Sequence, residues 1–279
     1  MLATCWTTAG DAAPDRADQS SPLDLRTRAE AARAAGFTGF GLVYADLLQY
    51  ERQYGLPGMK AILADNGLDH LEVEPLAGWW AGGPERVASD EVRHNLLRYC
   101  EALGAHHIKI HGDVDDGPLE NDRWTTELAA LATDANNVGA KVGIEFLPWS
   151  NIKTVHDALD LCERAGHPAA GVIIDVWHTE RGGTPPAALA DVPLHRIVGV
   201  ELNDADAQVI GTLFEDTAHR RRLCGQGSFD LLGVVRALRT AGWTGPWGVE
   251  ILADDFRQLP LESATKLAYR SAARILAES

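Results

Sequence analysis

The sequence predicts a single-domain α/β protein built as a closed (β/α)₈ barrel, and three observations predict it. Eight short β-rich runs are spread along 279 residues, amphipathic helical stretches separate them, and a glycine closes most of those stretches just ahead of the next run. The length suits one barrel of ~250 residues better than two small domains.

The predicted strands cover residues 2–7, 39–44, 70–75, 107–111, 141–147, 171–176, 197–202 and 247–252. Helical patterning fills residues 23–35, 85–103, 124–138, 154–165 and 229–241. Gly36, Gly67, Gly104, Gly139, Gly166 and Gly242 stand ahead of successive strands, where a residue tolerant of the left-handed turn closes a helix. An open doubly wound sheet is disfavoured, because no GxGxxG follows the first strand and no Walker lysine loop appears. The segments 9–22 and 204–227 read as long rim loops, and no interdomain linker divides residues 1–279.

Composition excludes several classes. A hydrophobic content of 46% with 23% charged residues is that of an ordinary globular protein. The net charge of −15 argues against nucleic acid and anionic membranes as partners, and the one basic run, Arg220-Arg221-Arg222, is too short to reverse it. Cys5, Cys100, Cys162 and Cys224 have no chelating spacing and read as reduced thiols of a cytoplasmic protein. The N-terminus lacks the basic and apolar regions of a signal peptide, and no run of ~18 apolar residues is present.

Four acids fall within predicted strands or at their C-terminal ends: Glu145, Asp175, Glu201 and Glu250. Each sits among apolar, β-branched neighbours, where a lone charge is costly to bury. One such acid is commonly paired with Lys or Arg. Four on successive strands, at the rim where barrels keep their active sites, point to a shared cation, and hard oxygen ligands suit Mn²⁺ or Mg²⁺ better than zinc.

Over nearly its whole length the chain resembles the xylose-isomerase-like TIM barrel superfamily of sugar phosphate isomerases and epimerases, which includes ketose 3-epimerases, inosose dehydratases and hydroxypyruvate isomerases. The resemblance is most specific in GIEFLP with Glu145, in DVWH with Asp175 and His178, in Glu201 followed by Asn203-Asp204, and in Gly248-Val249-Glu250. Residues 221–227, followed by Phe229-Asp230, resemble the family's arginine and PGxG loop, with Cys224 in place of the usual proline. The resemblance implies Glu145, Asp175, Glu201 and Glu250 as metal ligands. The family commonly carries His or Gln where Glu201 stands, a departure that bears on the metal's identity and the site's charge.

The resemblance further implies that the metal holds vicinal substrate oxygens while Glu145 and Glu250 flank the carbon that loses and regains a proton, and that His178 contacts a substrate oxygen. His111, at the end of the fourth strand, is a second candidate acid or base, with a solvent-facing rim histidine as the plain alternative. Lys109 shares its strand parity, so it points into the barrel and needs a carboxylate partner there. Glu74 ends the third strand. Trp79 and Trp80 follow it as candidates to stack on a sugar face, or as packing over the barrel mouth. Arg221 is a candidate for a substrate oxygen or phosphate, although a solvated surface arginine is the commoner case.

The expectation is a metal-dependent isomerase or epimerase of a ketose, keto-sugar or related polyol. A lyase or dehydratase using the same enolate is the alternative, and a non-catalytic sugar-binding barrel is a remote one. Oligomeric state, including a homo-oligomer, is left open by the sequence.

Overall fold

The computed structural model describes residues 1–115 and 117–279. Strands β1 (Leu2–Ala3), β2 (Gly39–Val43), β3 (His70–Leu76), β4 (Ala105–His111), β5 (Lys141–Glu145), β6 (Ala170–Asp175), β7 (Ile197–Leu202) and β10 (Gly248–Val249) are all parallel. They close in the order β1-β10-β7-β6-β5-β4-β3-β2. Two short strands, β8 (Asp204–Ala205) and β9 (Arg221–Arg222), pair antiparallel beside the barrel. Register decides what meets at the rim: His111 lies opposite Glu145, and Asp175 opposite Glu201.

Helices α1 (Leu25–Ala35), α2 (Tyr44–Asp65), α3 (Gly83–Leu103), α4 (Asn121–Asn137), α5 (Val155–Ala165), α8 (Leu231–Thr240) and α10 (Leu261–Glu278) form the outer layer. Shorter helices α6 (Val176–Arg181), α7 (Leu213–His219) and α9 (Asp254–Arg257) lie near the strand ends. All six glycines singled out as helix stops adopt positive φ, from 61° at Gly67 to 110° at Gly36. Thr154 and Asp157 close the start of α5 with a reciprocal capping box. No helix among the described residues is long and apolar enough to cross a membrane.

The first and last barrel strands are shorter than the sequence predicts. Residues 5–8 turn into a 3₁₀ helix, and the hydroxyls of Thr4 and Thr7 donate to the Val249 carbonyl at 3.1 and 2.7 Å. These hydroxyls join the Thr4 amide, which donates to the same carbonyl at 3.2 Å where the backbone ladder ends. The segment 204–227, read as a loop, carries β8, α7 and β9. Arg28 anchors the chain just past β1: it pairs with buried Asp46 at 2.5 Å and donates to the Cys5 carbonyl at 2.9 Å. All four cysteines are buried and unpaired, and burial pushes their thiols up, Cys100 to about 12.

Candidate metal centre and substrate cavity

The parallel ladder delivers the four predicted acids to one place. Glu145 ends β5, Asp175 ends β6, Glu201 lies in β7 and Glu250 follows β10. Each offers one carboxylate oxygen, and these four oxygens lie within 4.8 Å of one another. Asp175 is fully buried and caps α6, its Oδ1 accepting from the His178 amide at 3.0 Å. Its Oδ2 accepts from Asn203 Nδ2 and Arg221 Nη1, both at 2.8 Å.

Two internal cations hold the cluster. Lys109 on β4, which the sequence assigned to the barrel interior with need of a carboxylate, has Nζ 2.6 Å from Glu201, 3.0 Å from Glu74, 3.4 Å from Glu250 and 3.8 Å from Glu145. Arg221 is a buried residue of this cluster, not a solvated surface arginine: Nη1 bridges Asp175 and Glu250 Oε2 at 2.8 and 2.9 Å, and Nε and Nη2 donate to Thr217 at 3.0 and 2.8 Å. Its loop is fastened by Asp204, whose carboxylate accepts from the amides of Gly225 and Gly227 at 2.9 Å and Phe229 at 3.1 Å. A Cβ at Gly227 would lie 2.2 Å from the Ala205 carbonyl oxygen, so only glycine fits there.

The environments drive neighbouring carboxylates apart. Burial pushes Glu250 up to about 7 against the pull of Lys109 and Arg221, and burial reinforced by Glu250 holds Glu201 well above the usual range. Burial also acts to raise Glu145, but Lys109 and His178 outweigh it and hold it well below that range. For Lys109 itself burial opposes the charge, and Glu145, Glu201, Glu250 and Glu74 overcome it, keeping the ammonium above its ordinary value. Five carboxylates face two cations, and four of the carboxylates present close-set hard oxygens. That donor set fits a divalent metal. Glu145, Asp175 and His178 form a second close-set group that shares two of these residues.

The cluster opens into a cavity of about 480 Å³. Glu74, Glu145, Glu250, His111, His178 and Arg221 all line it, as do Trp6 and the apolar side chains of Leu147, Trp149, Phe214 and Leu252. His178 Nε2 is 3.5 Å from Glu145 Oε1, and His111 Nδ1 bonds the Gly112 carbonyl at 2.7 Å. Trp79 does not line this cavity. It is buried, donates to the His111 carbonyl at 2.9 Å and packs edge-on against Trp124 with centroids 4.9 Å apart, so it takes the packing role and supports His111 from behind. Sequence reading passed over Trp149 and Phe214; their ring contact, 6.0 Å between centroids, joins two loops far apart in the chain.

A closed parallel barrel with strand-end acids gathered at one point is an α/β barrel carrying a candidate metal centre where such folds keep their active sites. The chain belongs to the xylose isomerase-like TIM barrel family, whose pattern matches residues 29–278. It is 31% identical over 240 residues to a 3-dehydroshikimate dehydratase of Pseudomonas aeruginosa, a match that takes in 85% of this chain and 37% of that protein. It is 26% identical over 143 residues to an inosose isomerase of Halalkalibacterium halodurans, 50% of each chain. The chain therefore spans little more than a third of the dehydratase and half of the isomerase. The crystal structure of an IOLI protein with a bound zinc atom shares the fold at a TM-score of 0.83 and 18% identity, over 99% of this chain and 98% of that one.

Proposed function

We propose that this chain is a divalent-metal-dependent enzyme that removes and returns a proton beside the carbonyl of a neutral keto-sugar or keto-polyol, as an isomerase or epimerase. The observation that carries this reading is the meeting of Glu145 and Glu250, with oxygens within 4.8 Å, among the residues lining one cavity. Two carboxylates so placed suit taking a proton from carbon and delivering it again.

Glu145, Asp175 and Glu250, with Glu201 beside them, would hold the metal, and Mn²⁺ or Mg²⁺ suits a set without soft donors. When bound, such a metal supplies Lewis-acid polarisation of substrate oxygens. His178 orients the Glu145 carboxylate and is placed to bond a substrate oxygen, while Arg221 fixes Glu250. The apolar wall of Trp6, Trp149, Phe214 and Leu252 excludes water and offers a surface for the C–H face of a ring.

The side chains favour a neutral substrate: Arg221 is the cavity's lining guanidinium, and both Asp175 and Glu250 already hold it, so apart from the metal an anionic ligand would face Glu74, Glu145 and Glu250 without a free cation among the described lining residues. A second reading, expulsion of water from the same enolate, is supported by the 31% identity with a dehydratase over 85% of this chain.

The test is incubation of Mn²⁺-loaded protein with inososes, ketoses and 3-dehydroshikimate in D₂O. Deuterium in a recovered neutral sugar supports enolisation, and loss of water supports the second reading. Turnover confined to 3-dehydroshikimate would refute the neutral-substrate argument, and no exchange or elimination with any of them would refute the proposal as a whole.

A further inference from the structure

The Lys109 ammonium does not share itself evenly among the acids. It approaches Glu201 to 2.6 Å and Glu74 to 3.0 Å, stands 3.4 and 3.8 Å from Glu250 and Glu145, and forms no ion pair with Asp175 among the described residues. Glu201 has the complementary environment. It is 1% exposed, Lys109 is the cation that reaches it, and no other hydrogen-bond donor meets either of its oxygens among the described residues. The other three acids have their own donors: Arg221 bridges Asp175 and Glu250, and His178 stands beside Glu145.

A buried carboxylate needs a compensating charge, and a buried ammonium needs a carboxylate. A divalent ion drawn to Glu201 Oε1 would share that oxygen with a positive charge 2.6 Å away, whereas Asp175, whose Oδ2 is held by Arg221, keeps an Oδ1 bonded to a neutral amide and out of the reach of Lys109. We propose that Lys109 is the counter-cation on which Glu201 depends, so that a metal at this centre is held by Glu145, Asp175 and Glu250, with Glu201 spent on the internal ion pair. The inference rests on the metal-centre reading of the same cluster.

The experiment is titration calorimetry with MnCl₂ on metal-free wild type, Asp175→Asn, Lys109→Met and the double variant Lys109→Met/Glu201→Met, with the melting temperature of each and of Glu201→Met. Asp175→Asn is expected to lose affinity ~100-fold, because it removes a charged ligand, while the double variant stays within ~3-fold of wild type. Lys109→Met alone should melt lower than the double variant, since it strands the Glu201 charge that the double variant removes. Loss of ~30-fold or more in a folded double variant would make Glu201 a metal ligand and overturn the proposal. Wild type that binds no Mn²⁺ would instead sink the metal centre. The pairing would then be decided by melting alone, and additive effects of the two single variants would overturn it.

Discussion

Arg221→Met is the sharpest single perturbation of this site that needs no substrate. The guanidinium is 2% exposed and donates to Asp175, Glu250 and Thr217, so an apolar chain of similar length removes the cation while leaving two buried carboxylates behind. Removing one partner of a buried ion pair costs about 3–5 kcal/mol, mostly through the charge left uncompensated. For a chain of this size each kcal/mol moves the melting temperature by about 2–4 °C, so the metal-free variant should melt about 10 °C below wild type. Arg221→Lys should lose less, because a single ammonium keeps the charge but cannot reach both acids and Thr217 at once.

Circular dichroism melting in excess chelator at pH 8 measures this, and repetition with saturating Mn²⁺ adds a second readout. Bound metal compensates the stranded carboxylates, so it should raise the melting temperature more in Arg221→Met than in wild type. An Arg221→Met variant melting within about 2 °C of wild type in chelator would refute the reasoning, since the cluster would then not depend on the guanidinium.

Glu250→Gln and Glu145→Gln should each cut solvent-deuterium exchange into a substrate by ~10²–10⁴-fold while Mn²⁺ still binds by calorimetry. Mn²⁺ affinity should fall as pH drops: a proton on Glu250, held to about 7, competes with the metal, so binding at pH 6 should be ~10-fold weaker than at pH 8 from this group alone. Glu72, buried beside His107 and raised to about 7 chiefly by burial, contributes stability that is complete below the ordinary carboxylate value and lost as pH rises through 7. Wild type should therefore be about 1 kcal/mol less stable at pH 8 than at pH 6 from Glu72, and urea melts of Glu72→Gln should lack that component. Gly227→Ala should lower the melting temperature by several degrees, as its Cβ collides with the Ala205 carbonyl, and a neutral outcome by the same melt would show that the Arg221 loop relaxes freely.

What was legible in the sequence follows from periodicity. Strand parity is local, so the acids at positions 145, 175, 201 and 250 and the inward course of Lys109 could be read directly. Arg221 was harder because Arg220-Arg221-Arg222 looks like a solvated run. In the short strand β9 the side chains alternate, so Arg221 turns inward to Asp175 while Arg222 turns out to Asp206. Trp79 has the composition of a stacking platform, but its fate depends on Trp124, 45 positions on, and no pattern in the sequence announces that contact. Helix α2 escaped notice because Gly55 and Pro57 interrupt it, and the chain does break from helical geometry at Gly55.

The split between Glu145 and Glu250 links this packing to chemistry. Both carboxylates are built from similar sequence, GIE and GVE, on strands of the same barrel, so their intrinsic acidity is alike. At the first, Lys109 and His178 outweigh burial; at the second, burial prevails over the pull of Lys109 and Arg221, helped by neighbouring acids, and holds the group to about 7. In the metal-free site Glu145 is therefore ionised throughout the neutral range, while on the proposed chemistry the ionised Glu250 that holds the metal and takes the proton forms only as pH rises through about 7. On the proposed chemistry the burden of five acids in one barrel mouth is what creates this difference. Replacing Glu74 by Gln offers a direct check. Removing a carboxylate that raises Glu250 should move the acid limb of any pH–rate profile downward while leaving the fold intact by circular dichroism, and an unmoved limb would show that Glu250 does not set it.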